Sequence, residues 1–206
     1  MAILAGGRTL SQVDVDHAFQ RCDAVIAINR AFRLAPTAAW LYGCDADPTR
    51  FWGMHPEATE FAGTKIVVRP CGDVSSMPAR WSILARLGEA GVKILRHSGL
   101  EYPCGPKHEG ASPDPRIVRG NNSLFQILSI IAHTGASTVL LLGADMRGGH
   151  FHGGYPHQGE PNYALSVIPN FATLVRPLAD AGIAVLNCCP TSAIPYWPRV
   201  RLRDVI

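Results

Sequence analysis

The chain has 206 residues, 47% of them apolar, and a formal net charge of +3. That is enough chain for one hydrophobic core, and the slight positive excess fits an anionic ligand but excludes a polybasic tail. No apolar run approaches the ~20 residues of a membrane helix, Met1 leads directly into a strand with no basic leader segment, and the six cysteines form no Cys-x-x-Cys pair, so a cytoplasmic chain with reduced thiols and no membrane partner is expected.

Ala2-Ile3-Leu4-Ala5 reads as a first strand, followed at once by Gly6-Gly7-Arg8-Thr9. Glycines there let the backbone approach a ligand, and their N–H groups suit phosphate; a tight turn explains them equally well. Asp14 to Arg21 fits a short helix. Ala24 to Ile28 is a second buried strand ending at Asn29-Arg30, and Trp40 to Cys44 is a third, ending at Asp45 and Asp47. Pro48 to Glu60 fits a short helix, Lys65 to Arg69 a strand, Pro78 to Glu89 a helix and Val92 to Arg96 a strand. Leu100 to Arg116 is rich in proline and glycine and predicts an irregular excursion or lid at about 100–118.

Gly120-Asn121-Asn122-Ser123 opens the most regular part of the chain. Leu124, Ile127, Leu128 and Ile131 recur at helical spacing, with N-cap candidates at Asn121, Asn122 and Ser123 and a stop at Gly135. Thr138 to Leu142 is a continuous β-branched and leucine run, as in a parallel strand covered on both faces. It ends at Asp145, before a loop with His150, His152 and His157. Tyr163 to Ala181 predicts a helix kinked or divided by Pro169 and Pro177, and Ile183 to Leu186 a last strand. The tail carries Arg199, Arg201 and Arg203. Strands alternating with helices imply an α/β fold with a mostly parallel sheet, residues 1–206 forming one domain. The polar groups at the strand ends then share one rim, where such sheets place their ligands.

Ala5-Gly6-Gly7-Arg8-Thr9-Leu10, Ile26 to Ala31, Leu41 to Asp45, Gly120 to Ser123, Leu142 to Met146 and His150-Phe151-His152-Gly153 together resemble a family of small phage proteins that often carry the label "norphogenetic protein". More distantly they resemble the Rossmann-like domain of 6-hydroxymethylpterin pyrophosphokinases and of bacterial CMP-sialic-acid-dependent sialyltransferases. The resemblance implies a three-layer Rossmann-like fold with helices on both faces. It also implies a nucleotide site across Gly6, Gly7, Arg8, Thr9, Asn29, Arg30, Asp45, Gly120, Asn121, Asn122 and Ser123. The relatives read Gly-x-Gly-Pro-Ser-Leu after the first strand; here Thr9 stands in for the small hydroxyl and Arg8 adds a charge. The helix N-terminus at Asn122-Ser123 offers amides and a positive dipole end to a diphosphate.

Asp145 with His150, His152 and His157 supports two chemistries. One is general acid–base catalysis, a histidine taking a proton from an acceptor hydroxyl while Asp145 orients it. The other is a divalent metal on Asp145, His150 and His152; a glycine–histidine surface loop without a special role is the bland reading. His17, His55, His97 and His108 are expected at the surface, and His133 against a helix C-terminus. The leading functional expectation is a nucleotide-sugar-dependent glycosyltransferase-like enzyme with a CMP-, UDP- or GDP-linked donor, its acceptor a hydroxylated base of phage DNA. The alternatives are a Mg²⁺-dependent phosphoryl or pyrophosphoryl transferase, and a non-catalytic phage protein binding a nucleotide-like ligand.

Overall fold

The structure is a computed structural model that describes residues 1–44, 50–69, 78–97, 110–120, 122–152 and 163–206. Eight parallel strands form one sheet: β1 (Ala2–Leu4), β2 (Val25–Ile28), β3 (Trp40–Gly43), β4 (Thr64–Arg69), β5 (Lys93–His97), β6 (Ile117–Val118), β7 (Thr138–Leu142) and β8 (Ala184–Asn187). Their order across the sheet is β6-β5-β4-β3-β2-β1-β7-β8, and every pair is parallel. Among the described residues the α-helices are α1 (Gln12–Arg21), α2 (Phe51–Met54), α3 (Pro78–Glu89), α4 (Ser123–Ile131) and α5 (Ala172–Asp180). This is a three-layer, Rossmann-like α/β architecture.

The period of two along each strand divides the core into two layers. Ile3, Ile26, Ile28, Tyr42, Ile66, Val139 and Leu141 face α4 and α5. Ala2, Leu4, Val25, Ala27, Leu41, Val67, Leu140 and Leu142 face α1, α2 and α3. Right-handed crossovers explain the division. The chain adds β2 to β5 on one side of β1, and its helices fall on one face. It then crosses through α4 to add β7 and β8 on the other side, and the helices fall on the opposite face. The direction of winding therefore reverses between β1 and β7, the position at which open α/β sheets form a crevice.

Two expectations are refined. The segment expected as a helix kinked or divided by its prolines is three pieces: a wide turn at Tyr163–Val167, a 3-10 turn at Pro169–Phe171, and α5 with Pro177 inside it. Of the 100–118 excursion, residues 100–109 lie outside the described residues, while 110–118 pack closely. There Ser112 is buried, its amide donating to Ser129 Oγ (3.3 Å), and Ile117–Val118 pairs with the end of β5. His133 donates to the Ser112 carbonyl at 2.7 Å, so it ties this segment to α4 instead of only facing a helix dipole.

Candidate functional site

Because β3, β2, β1 and β7 are neighbours and parallel, their C-terminal ends share one rim. That rim carries Cys44, Asn29-Arg30, Gly6-Gly7 and Asp145. Contacts join these ends directly. The Gly7 amide donates to Gly143 O at 2.8 Å, and Ser123 Oγ lies 3.2 Å from Cys44 Sγ. The loop leaving β7 folds back over β1, forming an antiparallel bridge between Gly7 and His150, and brings His152 to Arg30 at the end of β2.

Asp145 is only 1% exposed, and both of its oxygens are occupied. Oδ2 accepts from the Thr9 amide (3.1 Å) and the Thr9 hydroxyl (2.8 Å), and Oδ1 from the Thr191 hydroxyl (3.1 Å). The segment after β8 encloses the same turn: Ser192 Oγ donates to Ala144 O, the Ala193 amide to Asp145 O, and the Ala144 amide contacts Cys189 Sγ. Burial pushes the Cys189 thiol up to about 12, so it sits there as a protonated, apolar filler. Gly7 is required at this point, because a Cβ there would collide with Asp145 Oδ2 and Gly143 O. The carboxylate expected to orient a histidine, or to hold a metal, instead clamps the β1 loop to the β7 turn. Among the described residues no group of three His, Cys, Asp or Glu side chains could hold a metal ion, so the Asp145–His150–His152 metal set is not assembled.

Beyond the clamp lies a cluster of imidazoles and guanidinium groups whose hydrogen bonds fix each tautomer. His150 Nδ1 lies 3.0 Å from the Gly6 carbonyl. A carbonyl only accepts, so Nδ1 carries a proton, and in the neutral ring the lone pair is then on Nε2. His152 Nδ1 lies 3.1 Å from Arg30 Nη1. A guanidinium only donates, so His152 accepts at Nδ1 and carries its proton on Nε2. The two rings stack in parallel, 4° apart with centroids at 5.1 Å. Burial, then the Arg30 charge, lowers His152 from 6.5 to about 4, so it is neutral at physiological pH. Arg30 Nε also donates to His55 Nε2 at 2.7 Å, and His55 Nδ1 faces Glu57 Oε1 at 3.2 Å. Burial and Arg30 likewise lower the pKa of His55. His152 is thus a neutral ring with its proton on Nε2, Arg30 on one side of it and His150 stacked against it.

Family models, curated proteins and solved structures return no match to this chain.

The start of α4 is held in its own way. Asn122 Oδ1 accepts from the Leu124 (2.9 Å) and Phe125 (3.4 Å) amides, so the helix caps itself with two of the amides expected to face a diphosphate. Gly120, at φ +87°, leaves room for the Phe125 ring, which a Cβ would strike. Its carbonyl accepts from Gln126 Nε2 at 2.7 Å, while Gln126 Oε1 accepts from the Tyr42 hydroxyl at 2.7 Å. This buried relay ties the Gly120 turn to the middle of the sheet.

The structure therefore brings together Gly6, Gly7, Thr9, Asn29, Arg30, Asp145, His150 and His152, and sets Ser123 against Cys44 at the next strand end. Arg8 is exposed, its side chain alongside Gly148. Asp45, Asn121 and His157 lie outside the described residues. Asn29 adopts φ +50°, and its Oδ1 is buried with no partner among the described residues. Each feature costs about 1–3 kcal/mol, and such costs concentrate at functional sites. Sequence reasoning missed His55, expected at the surface but 6% exposed, together with Arg33, Glu57 and Gln126. A histidine directly before a proline resembles an ordinary turn, and its partner Arg30 is remote in sequence. The available signal was Phe51-Trp52 just upstream, an aromatic pair able to seat an imidazole.

Proposed function

We propose that this protein is a nucleotide-dependent transferase, glycosyltransferase-like, that passes a sugar from a nucleotide-linked donor to an acceptor hydroxyl. The observation that carries the reading is the pair of stacked histidines with opposite tautomers beside Arg30. His150 Nε2 takes the acceptor's proton as the acceptor oxygen bonds to the anomeric carbon of the donor. The bond from that carbon to the phosphate oxygen breaks, and its electron pair leaves with the nucleoside phosphate. His152 Nε2–H and the Arg30 guanidinium stabilise that departing charge. The reverse-winding position of β1 and β7, the strain at Asn29 and the resemblance of the rim motifs to sugar-nucleotide transferases support the same reading.

A Mg²⁺-dependent phosphoryl transfer would draw on Asp145 and on Asp45, which lies outside the described residues; the Asp145 oxygens already serve three protein donors, which favours a route without that ligand. For a DNA acceptor, the exposed Arg201 and Arg203 on either side of the buried Leu202 offer phosphate contacts. Calorimetric titration with CMP-, UDP- and GDP-linked sugars tests the proposal. One donor class should bind, and His150→Asn should slow its turnover by about 10²–10⁴-fold with little change in affinity. No binding of any donor at millimolar concentration ends the reading, and binding without turnover on any acceptor leaves a nucleotide-binding protein in its place.

A further inference from the structure

We propose that His55 and Glu57 are positioning residues that pin Arg30 in the orientation that meets the ligand's phosphate oxygens; the identity of the ligand rests on the nucleotide reading above. His55 is 6% exposed and packs against the Phe51 ring, with centroids 5.5 Å apart, so its plane is fixed by the core. Its Nε2 takes the Arg30 Nε–H at 2.7 Å. In the neutral ring that leaves the proton on Nδ1, which points at Glu57 Oε1 at 3.2 Å; Arg33 Nη2 lies 3.3 Å from the same Nδ1 but donates to the carboxylate oxygen at the shorter 2.9 Å. Arg30 reaches the other way to His152. One guanidinium thus spans two imidazoles, and the chain runs from carboxylate through His55 and Arg30 to the accepting Nδ1 of His152.

This arrangement serves anion binding: arginine has a long, flexible side chain, and pinning it in advance removes an ordering cost from ligand binding. The groups facing His55 are Arg30 and Arg33 from the turn after β2, Glu57 from its own turn, and the uncharged Phe51 ring of α2. A second proton on His55 would sit on Nε2, against the Arg30 Nε–H. Both groups would then be donors, and the pin would open.

The test uses inorganic pyrophosphate and CMP as probes, with the Arg30 Nε–H followed by NMR. His55→Gln supplies an amide oxygen to Arg30 but cannot titrate; His55→Ala supplies nothing. In the wild type and in His55→Gln the Nε–H should exchange slowly, and in His55→Ala fast. His55→Ala should weaken pyrophosphate binding about tenfold or more, while His55→Gln stays within about threefold. As pH falls below the ordinary histidine value of 6.5, wild-type affinity should drop and that of His55→Gln should hold. Where His55→Ala does not fold, this acid-limb difference carries the test alone. A fast-exchanging Nε–H in the wild type, or equal pH profiles for wild type and His55→Gln, overturns the proposal. If neither probe binds while the Nε–H behaves as described, the pin stands and the nucleotide reading falls.

Discussion

Asp145 and His150 lie close together on one loop, yet they sit in opposite environments. Asp145 is buried, accepts three hydrogen bonds from Thr9 and Thr191, and joins the first strand loop to the last. His150 is exposed, anchored by one ring nitrogen to the Gly6 carbonyl. The same rim thus separates into an inward half that commits its polarity to the fold and an outward half that leaves His150 open to solvent. Rim position alone does not identify a catalytic group; hydrogen-bond accounting does.

The largest expected effect falls on the inward half. Asp145→Ala strands the half-buried Thr9 amide and two hydroxyls and should cost about 2–4 kcal/mol of unfolding free energy, read from urea melts. Asp145→Asn keeps one acceptor oxygen and should cost less. A carboxylate with a catalytic role would show the reverse pattern, with Asp145→Asn as stable as wild type but inactive. Next, Tyr42→Phe removes the donor to the buried Gln126 and should destabilise by about 1–2 kcal/mol. Asn29→Gly sharpens the contrast from the other side. It relieves a left-handed backbone and an unpaired buried oxygen, so the melting temperature should hold or rise while nucleotide affinity falls. A lower melting temperature would make Asn29 a structural residue.

The smallest effect concerns pH. His152 titrates lower in the folded protein, about 4, than in the unfolded chain, near 6.5. The unfolded state therefore binds more protons between these values, so stability is intact above about 6.5 and is lost as pH falls towards 4. His152→Gln should flatten that acid limb of the urea midpoint against pH, and an unchanged limb would place the titration elsewhere.

The architecture was legible in the sequence because the signals were local and repeated. The run Thr138 to Leu142 fitted a strand covered on both faces, and Asn121, Asn122 and Ser123 before Leu124, Ile127, Leu128 and Ile131 bracketed the start of α4. Once the strands were parallel, their polar ends had to share a rim. What each polar end does there was not legible. Asp145 is consumed by Thr191, which the chain delivers only after β8, and Asn122 turns its oxygen on its own helix. His55 becomes part of the site through Arg30, far away in sequence. Such choices depend on which donor reaches which acceptor in three dimensions, and residue spacing carries no trace of that.

The central claim is that neighbouring histidines on this rim hold opposite tautomers, one as base and one as donor. Nitrogen-15 NMR of the imidazoles at neutral pH reads this directly. The account predicts His150 protonated at Nδ1 and His152 at Nε2, with both signals moving when the nucleotide-linked donor is added. The same tautomer at both positions, or signals indifferent to every nucleotide, would contradict it.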